Sequence, residues 1–289
     1  MGACGHSCIG KRLMANTTLL KNFAHMDIME IVGRVTGAAL QLPRSKNRGA
    51  FSRRRIARRK ILAPRISIII PAHNEEHYLR HTLDALKRQS YRNFEVIVVA
   101  NGCSDRTEDA ARDACDRLVV LSQKSLGVAR NLGARMAKGE LLVFLDADTL
   151  LDPNALKTIA HKFTRRHAAG TIRGKPDSDR LAYRIIYGVK NLIHRTSLHH
   201  GSSGVILCWR RHFMKLGGFR ENLEVRENSE LIKRLERFGR YACISRAVAV
   251  TSMRRYEHRG VGRMVWMWTR LWFESLFRDL KDRKYETVR

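Results

Sequence analysis

The sequence predicts an α/β fold in which a mostly parallel β-sheet is sandwiched between helices. Short apolar runs rich in β-branched residues recur from residue 66 onward, and amphipathic segments of helical spacing alternate with them. The runs are apolar throughout rather than at every second position. Such runs are typical of strands that are buried on both faces of a parallel sheet.

The predicted elements follow one another in a regular order. We expect strands at 66–70, 94–100, 118–121 and 140–145, and helices at 75–89, 104–115 and 126–138. Ser104 is the expected N-cap of the second helix, and Gly139 is the expected end of the third. In the second half, strands are expected at 201–209 and 242–251, with a helix at 225–235 between them.

The segments on either side of the predicted domain at 65–252 have a different character. The formal net charge of the chain is +28, and residues 1–65 hold 14 of its 55 Lys and Arg but only 2 of its 27 acids. Residues 1–64 are therefore expected to be a basic, partly disordered extension, in which 26–42 has the pattern of a short amphipathic helix. The segment 253–289 is expected to form an amphipathic helix.

The C-terminal helix has two possible partners. Residues 260–280 combine an apolar stripe, three tryptophans and several arginines. Such a helix is expected either to pack on the domain or to lie on an anionic membrane surface. Both alternatives remain open at this point.

Composition also excludes some functional classes. No uncharged apolar run reaches the roughly 18–20 residues of a membrane span, and the first 30 residues lack the apolar region of a signal peptide. The six cysteines are scattered, as expected for free thiols. We therefore expect a cytoplasmic protein, at most peripheral on the cytoplasmic face of a membrane. Nucleic-acid binding is disfavoured, because the basic run lacks interleaved aromatic residues or a recognised binding module.

Polar groups follow the predicted strands at their carboxyl ends, where sheets of this kind bind ligands. They lie at 71–75, 101–105 and 122–124, and they end with Asp146 and Asp148. Two carboxylates one residue apart after a buried strand can both reach one divalent cation, and oxygen ligands favour Mg²⁺ or Mn²⁺. A metal at this position would offset the charge of a diphosphate leaving group.

Four segments together resemble family 2 glycosyltransferases of the GT-A fold. They are ISIIIPAHNEE at 66–76, FEVIVVANGCSDRT at 94–107, SLGVARNLGARMAKGELLVFLDADT at 125–149 and GGFREN at 217–222. The resemblance implies transfer of a sugar from a nucleoside diphosphate sugar, first of all a UDP-sugar, to a hydroxyl acceptor with inversion. A glycan or a lipid-linked molecule is the implied acceptor, and Mg²⁺ or Mn²⁺ is the implied cofactor.

The resemblance also implies which residues bind the donor. They are Pro71, Ala72, Asn74, Glu75, Asn101, Asp105, Gly127, Arg130, Asp146, Arg254 and Arg255. Asn101 stands where the family usually has an Asp, but an amide both donates and accepts hydrogen bonds, so it can still read a base. The two arginines at 254 and 255 would face the diphosphate. Asp148 would hold the metal together with Asp146, and His258 is a third candidate ligand.

The general base is the least defined part of the predicted site. The family has a Glu-Asp pair where this sequence has Glu227 and Asn228, and an Asn side chain does not accept a proton at neutral pH. Glu227 is the first candidate for the base and Glu230 the second. Both acids also suit a helix N-terminus on electrostatic grounds alone. The alternative function is therefore a catalytically silent domain that binds a nucleotide sugar or a partner.

Overall fold

The structure is a computed structural model that describes residues 63–196, 201–223 and 226–277 of the 289-residue chain. In these ranges the strands are β1 (Ile66–Ala72), β2 (Phe94–Asn101), β3 (Arg117–Leu121), β4 (Leu141–Leu145), β5 (Thr149–Leu151), β6 (His167–Pro176), β7 (Val205–Trp209) and β8 (Arg240–Thr251). The helices are α1 (Glu76–Lys87), α2 (Thr107–Arg112), α3 (Leu126–Met136), α4 (Ala155–Lys162), α5 (Leu181–Arg195), α6 (Arg210–Lys215), α7 (Glu227–Leu235), α8 (Arg254–Arg259) and α9 (Val261–Phe277).

All of these strands belong to one sheet with the order β3-β2-β1-β4-β7-β6-β8-β5. Strands β3, β2, β1 and β4 are parallel, so their carboxyl ends lie at one edge. Strand β7 pairs with β4 in the antiparallel direction, and β6 pairs with β8 in the parallel direction. The mostly parallel α/β sheet that the sequence predicts is confirmed, with antiparallel pairs at β7 and at β5.

The continuous apolar runs have a direct structural reason. In β1, Ile66, Ile68 and Ile70 belong to the core layer that contains Leu79 of α1. Ile69 belongs to the layer on the other face of the sheet, which contains Ala129 and other residues of α3. Successive residues of a strand point to opposite faces. A strand covered by helices on both faces is therefore apolar at most positions, and the buried Ser67 is an exception whose hydroxyl donates to Glu95.

Two details of the predicted elements are wrong. Ser104 is not an N-cap, because α2 begins at Thr107. The carboxylate of Asp105 instead accepts a hydrogen bond from the Thr107 amide at 3.0 Å. Helix α3 ends at Met136, before Gly139. A Cβ at Gly139 would lie 2.6 Å from Ser67 Oγ, so this glycine allows a close approach to β1 rather than a helix end.

The C-terminal segment packs on the domain through its first turns. Met264 of α9 is buried in a cluster with Tyr183 and Tyr187 of α5 and Tyr256 of α8. Trp266, by contrast, is 62% exposed. Of the helices that the structure describes, none combines the length and the apolar character needed to cross a bilayer. The predicted helix at 26–42 and residues 1–62 as a whole lie outside the described residues.

Candidate active site

The loops that follow β1 and β2 are fastened to each other. Asn74 adopts a left-handed backbone with φ of 55°, which Asn tolerates better than most residues. Its side chain accepts a hydrogen bond from the Ser104 amide at 2.8 Å and donates one to Ser104 Oγ at 3.0 Å. Asp105 accepts a further bond from the backbone amide of Glu76 at 3.2 Å. Burial alone would raise the pKa of Asp105, but the hydrogen bonds from Thr107 and from the backbone outweigh it and lower that pKa.

Several predicted donor-binding residues have their side chains engaged within the protein. Asn101 is 3% exposed, and its side-chain oxygen accepts a hydrogen bond from the Ser125 amide at 2.8 Å. Ala72 is fully buried in the core, and Pro71 is buried beside it. A Cβ at Gly127 would lie 3.1 Å from the backbone of Glu221, so this glycine packs against the chain itself. These four residues shape the edge of the sheet from within.

The two aspartates lie in the turn that joins β4 to β5. The Asp146 side chain is 42% exposed, whereas that of Asp148 is 10% exposed. Burial raises the pKa of Asp148, the negative charge of Asp146 raises it further, and the positive charges of Arg254 and Arg255 oppose the shift. A cation beside the pair would therefore relieve an unfavourable concentration of negative charge.

Arg254 supplies positive charge at this place. Its guanidinium lies 3.3 Å from Asp148 Oδ2 and forms an ion pair and hydrogen bond with Glu75 Oε1. The same group lies over the ring of Tyr78 at 4.4 Å from its centroid. Burial raises the pKa of Glu75, and the hydrogen bond and charge of Arg254 offset part of that shift. The first strand loop, the aspartate turn and the start of α8 are thus joined around one guanidinium.

Arg130 makes a second junction about the same turn. It is 3% exposed, and its guanidinium lies 3.2 Å from Asp146 Oδ1 and 2.9 Å from Glu227 Oε1. It also donates to Asn228 Oδ1 at 2.8 Å and stacks over the Phe219 ring at 5.0 Å. The predicted metal ligand Asp146 and the predicted base Glu227 are therefore neighbours of one buried arginine.

The other predicted site residues lie further from this junction. Glu230 forms a two-pronged ion pair with Arg234, with both contacts at 2.7 Å, and lies 3.0 Å from Arg220. His258 is exposed on α8. Arg255 is partly buried near Asp148 and Glu75, whose pKa values its charge affects. In the described part of the chain, no group of three or more His, Cys, Asp or Glu side chains is placed to hold a metal, so His258 does not complete the aspartate pair.

The residues present suit a metal or another cation only in part. Asp146 and Asp148 offer the hard oxygen ligands that Mg²⁺ and Mn²⁺ prefer. Glu75 Oε2 is buried and has no hydrogen-bond partner among the described residues, so an acceptor oxygen is left over beside Arg254. Mg²⁺ usually takes one or two carboxylates and completes its shell with water and phosphate. Two aspartates are enough for that mode of binding.

A cavity of about 200 Å³ opens beside the aspartate turn. Its lining includes side chains from α1, the turn and β8, namely Tyr78, His81, Thr82, Asp148, Leu150, Asp177, Val250 and Ser252. Ligand pockets for small molecules usually measure about 300–1,000 Å³. This cavity alone is therefore smaller than the usual small-molecule pocket.

Three residues of the site were not anticipated from the sequence. Phe219 stacks on Arg130, Tyr78 lies beneath Arg254, and Ser202 Oγ accepts a hydrogen bond from Asn228 at 3.2 Å. Phe219 lies in the segment at 217–222 that carries part of the family resemblance, and Ser202 lies in the predicted strand at 201–209. For Tyr78, the helical spacing of α1 gives no sign that its ring faces the site.

Comparison with known proteins agrees with this architecture. The family model described as Glycosyl transferase family 2 matches residues 67–217. An uncharacterised glycosyltransferase of Rickettsia typhi is 36% identical over 97 residues, which cover 33% of this chain and 30% of that protein. Validoxylamine A glucosyltransferase of Streptomyces hygroscopicus subsp. limoneus is 38% identical over 104 residues, or 33% of this chain and 23% of that one. This chain therefore matches less than a third of the length of these two relatives.

Solved structures show the same fold. A mannosyltransferase from Pyrobaculum calidifontis, in complex with GDP-Man and Mn²⁺, superposes with a TM-score of 0.55 at 22% identity, over 66% of this chain and 57% of that one. TarS residues 1–349 from S. aureus, in complex with UDP-GlcNAc, superposes with a TM-score of 0.51 at 21% identity, over 65% and 58% of the two chains. These likenesses confirm the GT-A fold. Because the family model spans more than half of its residues, this chain belongs to glycosyl transferase family 2.

Proposed function

We propose that the protein transfers a sugar from a nucleoside diphosphate sugar, first of all a UDP-sugar, to a hydroxyl group of a glycan or lipid-linked acceptor. The observation that carries the proposal is the aspartate turn after β4, where Asp146 and Asp148 lie between Arg130 and Arg254. Carboxylates and guanidinium groups converge there on the carboxyl edge of a parallel sheet. Ligands of α/β sheets bind at that edge.

Asp146 and Asp148 would hold the metal in this proposal. When bound, Mg²⁺ or Mn²⁺ supplies positive charge that stabilises the diphosphate leaving group. Arg254 and Arg255 are suited to phosphate oxygens, because a guanidinium donates paired hydrogen bonds to such anions. To reach a donor, Arg254 would exchange its contacts with Glu75 and Asp148 for contacts with the diphosphate.

Glu227 is the proposed general base. The acceptor hydroxyl oxygen forms a bond to the anomeric carbon of the sugar, and Glu227 takes the proton of that hydroxyl. The bond from the anomeric carbon to the diphosphate oxygen breaks, and the nucleoside diphosphate leaves with that electron pair. A single displacement of this kind inverts the anomeric centre, as the family resemblance implies. Arg130 donates a hydrogen bond to the Glu227 carboxylate and another to Asn228, and the first of these bonds fixes the position of the carboxylate.

The second candidate function is binding without catalysis. It is favoured by Asn228, which occupies the place of the family's usual Asp, and by Arg130, whose guanidinium already binds the Glu227 carboxylate. In that case the domain would recognise a nucleotide sugar and transfer nothing. Hydrolysis of the donor separates the two functions without a known acceptor, because water can take the place of the acceptor hydroxyl.

The test compares the wild type with Glu227→Gln in donor hydrolysis and in donor binding. We expect Glu227→Gln to lower the rate of sugar release by about 10²–10⁴-fold, the usual contribution of general acid–base catalysis. Donor binding, measured by calorimetry, should stay within a few-fold of the wild type. Equal hydrolysis by both proteins would exclude Glu227 as the base. Donor binding with no sugar release by either protein would favour the silent domain.

A cytoplasmic protein, at most peripheral on the membrane, is part of the same proposal. It is supported by the four cysteines within the described residues, Cys103, Cys115, Cys208 and Cys243, which are all free thiols. Free thiols are typical of a reducing compartment.

A further inference from the structure

Helix α5 exposes its apolar side chains along one face. Leu181 is 70% exposed, Ile185 56%, Val189 52% and Leu192 58%. Their spacing of three to four residues puts them in one stripe along the helix. We call these four residues the α5 stripe. Single exposed apolar residues are ordinary, but a contiguous stripe indicates a surface that meets another apolar phase.

The opposite face of α5 fixes the helix in this orientation. Tyr183 and Tyr187 are 1% and 5% exposed and pack in a cluster with Tyr256 and Met264. Asn191 exchanges two hydrogen bonds with the backbone of Gly174 in β6, at 3.0 and 2.9 Å. Burying the α5 stripe in the protein core would require breaking all of these contacts. The stripe is therefore a built feature of the surface.

Two arginines of α5 flank the α5 stripe, whereas Lys190 contacts the tyrosine cluster and hydrogen-bonds Tyr256 Oη at 3.2 Å. The helix contains Arg184, Lys190 and Arg195 and has no acidic residue over its whole length. Arg184 and Arg195 are exposed. A cavity of about 380 Å³ lies beside Leu192. Two arginines belong to its lining, which consists of Arg173, Gly188, Asn191, Leu192, Arg195, Cys243 and Ser245. An apolar strip next to a cavity with two guanidinium groups suits an acyl chain region next to an anionic headgroup.

We propose that α5 docks the protein on a bilayer that contains anionic phospholipid, with the α5 stripe in the acyl boundary and the arginines at the lipid phosphates. Interfacial helices combine these two features, namely an apolar face and flanking Lys or Arg. A second copy of the chain fits less well. An isologous dimer would bring the arginines that flank the stripe of one copy, Arg184 and Arg195, towards those of the other copy, and like charges repel.

Helix α9 supports the same assignment from a separate segment. It packs on the tyrosine cluster that also holds α5, and it leaves Val265 and Trp266 43% and 62% exposed. Arg270 lies over the Trp266 ring at 5.3 Å from the centroid. Tryptophan beside a basic residue is favoured at membrane interfaces. The proposal therefore concerns α5 itself and not the C-terminal helix alone.

The experiment uses the full chain and vesicles of two compositions, phosphatidylcholine alone and phosphatidylcholine mixed with phosphatidylglycerol. The stripe variant combines Leu181→Gln, Ile185→Gln, Val189→Gln and Leu192→Gln, which keep helix propensity and change only exposed positions. Val120→Gln is the matched control, because Val120 is an apolar residue 54% exposed on β3, outside α5. A second variant, Arg184→Gln with Arg195→Gln, tests the charges.

Two readouts isolate α5 from the general positive charge of the chain. Co-sedimentation is measured at low salt and at about 0.5 M NaCl, where the Debye length is roughly 4 Å and purely electrostatic binding is largely screened. Amide hydrogen exchange over 181–195 reports directly whether this helix is covered. Circular dichroism and urea unfolding verify that the variants fold like the wild type.

The proposal predicts that wild type and Val120→Gln bind the anionic vesicles and that α5 exchanges more slowly on them. The stripe variant should bind at least about ten-fold more weakly at high salt and lose the protection of α5. At about 0.5 M NaCl, where the general charge of the chain is largely screened, the arginine variant should prefer anionic over neutral vesicles less strongly than the wild type does. The proposal is overturned if the stripe variant binds like the wild type, or if exchange over 181–195 does not change on vesicles. Sedimentation as a dimer that the stripe variant abolishes would also overturn it, in favour of a second copy.

Discussion

Replacing Arg130 with Met tests how strongly the site depends on one buried guanidinium. Met keeps much of the length and apolar volume of the side chain but removes its charge and its donors. Arg130 is 3% exposed and donates to Glu227, Asn228 and Asp146 at 2.9, 2.8 and 3.2 Å. The variant therefore leaves two carboxylates and an amide oxygen without that donor.

The contacts differ in what their loss should cost. The Glu227 side chain is 11% exposed, so it would become a nearly buried, unpaired charge, and breaking such a pair costs about 3–5 kcal/mol. The Asp146 side chain is 42% exposed and regains water, so its share is that of a surface pair, below about 1 kcal/mol. We expect Arg130→Met to lower the free energy of unfolding by about 3–5 kcal/mol in total.

A double-mutant cycle shows whether the loss comes from the Glu227 charge. Glu227→Gln alone removes the charge and should destabilise less than Arg130→Met. In the double variant no unpaired carboxylate remains at Glu227, so the combined loss should fall short of the sum by at least about 1 kcal/mol. The assay is urea unfolding at equilibrium, with unchanged m values. Arg112→Met is the control, because Arg112 and Asp109 form an exposed pair at 3.8 Å that should contribute less than about 0.5 kcal/mol. A loss below about 1 kcal/mol in Arg130→Met, or strict additivity in the cycle, would show that Arg130 does not compensate a buried Glu227 charge.

Two further predictions concern other charged contacts. Arg254→Met removes the cation between Glu75 and Asp148, so the variant should unfold at a lower temperature than the wild type when no metal is present. Added Mn²⁺ should raise the Tm of the variant by more than it raises the Tm of the wild type. An equal Mn²⁺ shift in both proteins would contradict the role of Arg254. Burial alone would raise the pKa of Glu95, but hydrogen bonds from Ser67 and from the Lys138 and Gly139 amides, together with the charge of Arg65, lower that pKa. The ionised Glu95 therefore stabilises the fold fully above the unfolded pKa of about 4.3, and this stabilisation is lost as the pH falls through the lower folded pKa. Glu95→Gln should accordingly lower the free energy of unfolding by about 1.5–3 kcal/mol near pH 7 and by less near pH 3. Glu140→Gln is the control, because Glu140 is exposed and its replacement should change that free energy little at either pH. A loss in Glu95→Gln that stays the same in acid would contradict the prediction.

The parallel half of the sheet could be predicted because its strands contain continuous apolar runs. Ile66, Ile68 and Ile70 face one helical layer and Ile69 faces the other, so the apolar residues of β1 indicate that the strand is buried on both faces. Helix α5 was not predicted. Its apolar residues divide between a buried tyrosine face and an exposed stripe, so the pattern does not show which side meets the core.

The location of the site was predictable, but its internal connections were not. The carboxyl ends of parallel strands must meet, so the sequence already grouped Asn74, Asn101 and the aspartate pair. The contact of Arg130 with Glu227 joins residues 97 positions apart, and no local pattern encodes it. Ser104 was misassigned because its amide and hydroxyl bind the distant Asn74 side chain, and α2 begins three residues later, at Thr107.

The most direct test of the proposed function is calorimetric titration of the full chain with UDP and with GDP, each with and without Mn²⁺, for the wild type and for Asp148→Asn. A metal-dependent donor site at the aspartate turn predicts that the wild type binds one of the two nucleotides and needs Mn²⁺ to do so. Asp148→Asn should lose that metal-dependent binding while its urea unfolding still shows a cooperative transition with an unchanged m value. Equal Mn²⁺-dependent binding by both proteins, or binding of neither nucleotide by a folded wild type, would contradict a donor site at the aspartate turn.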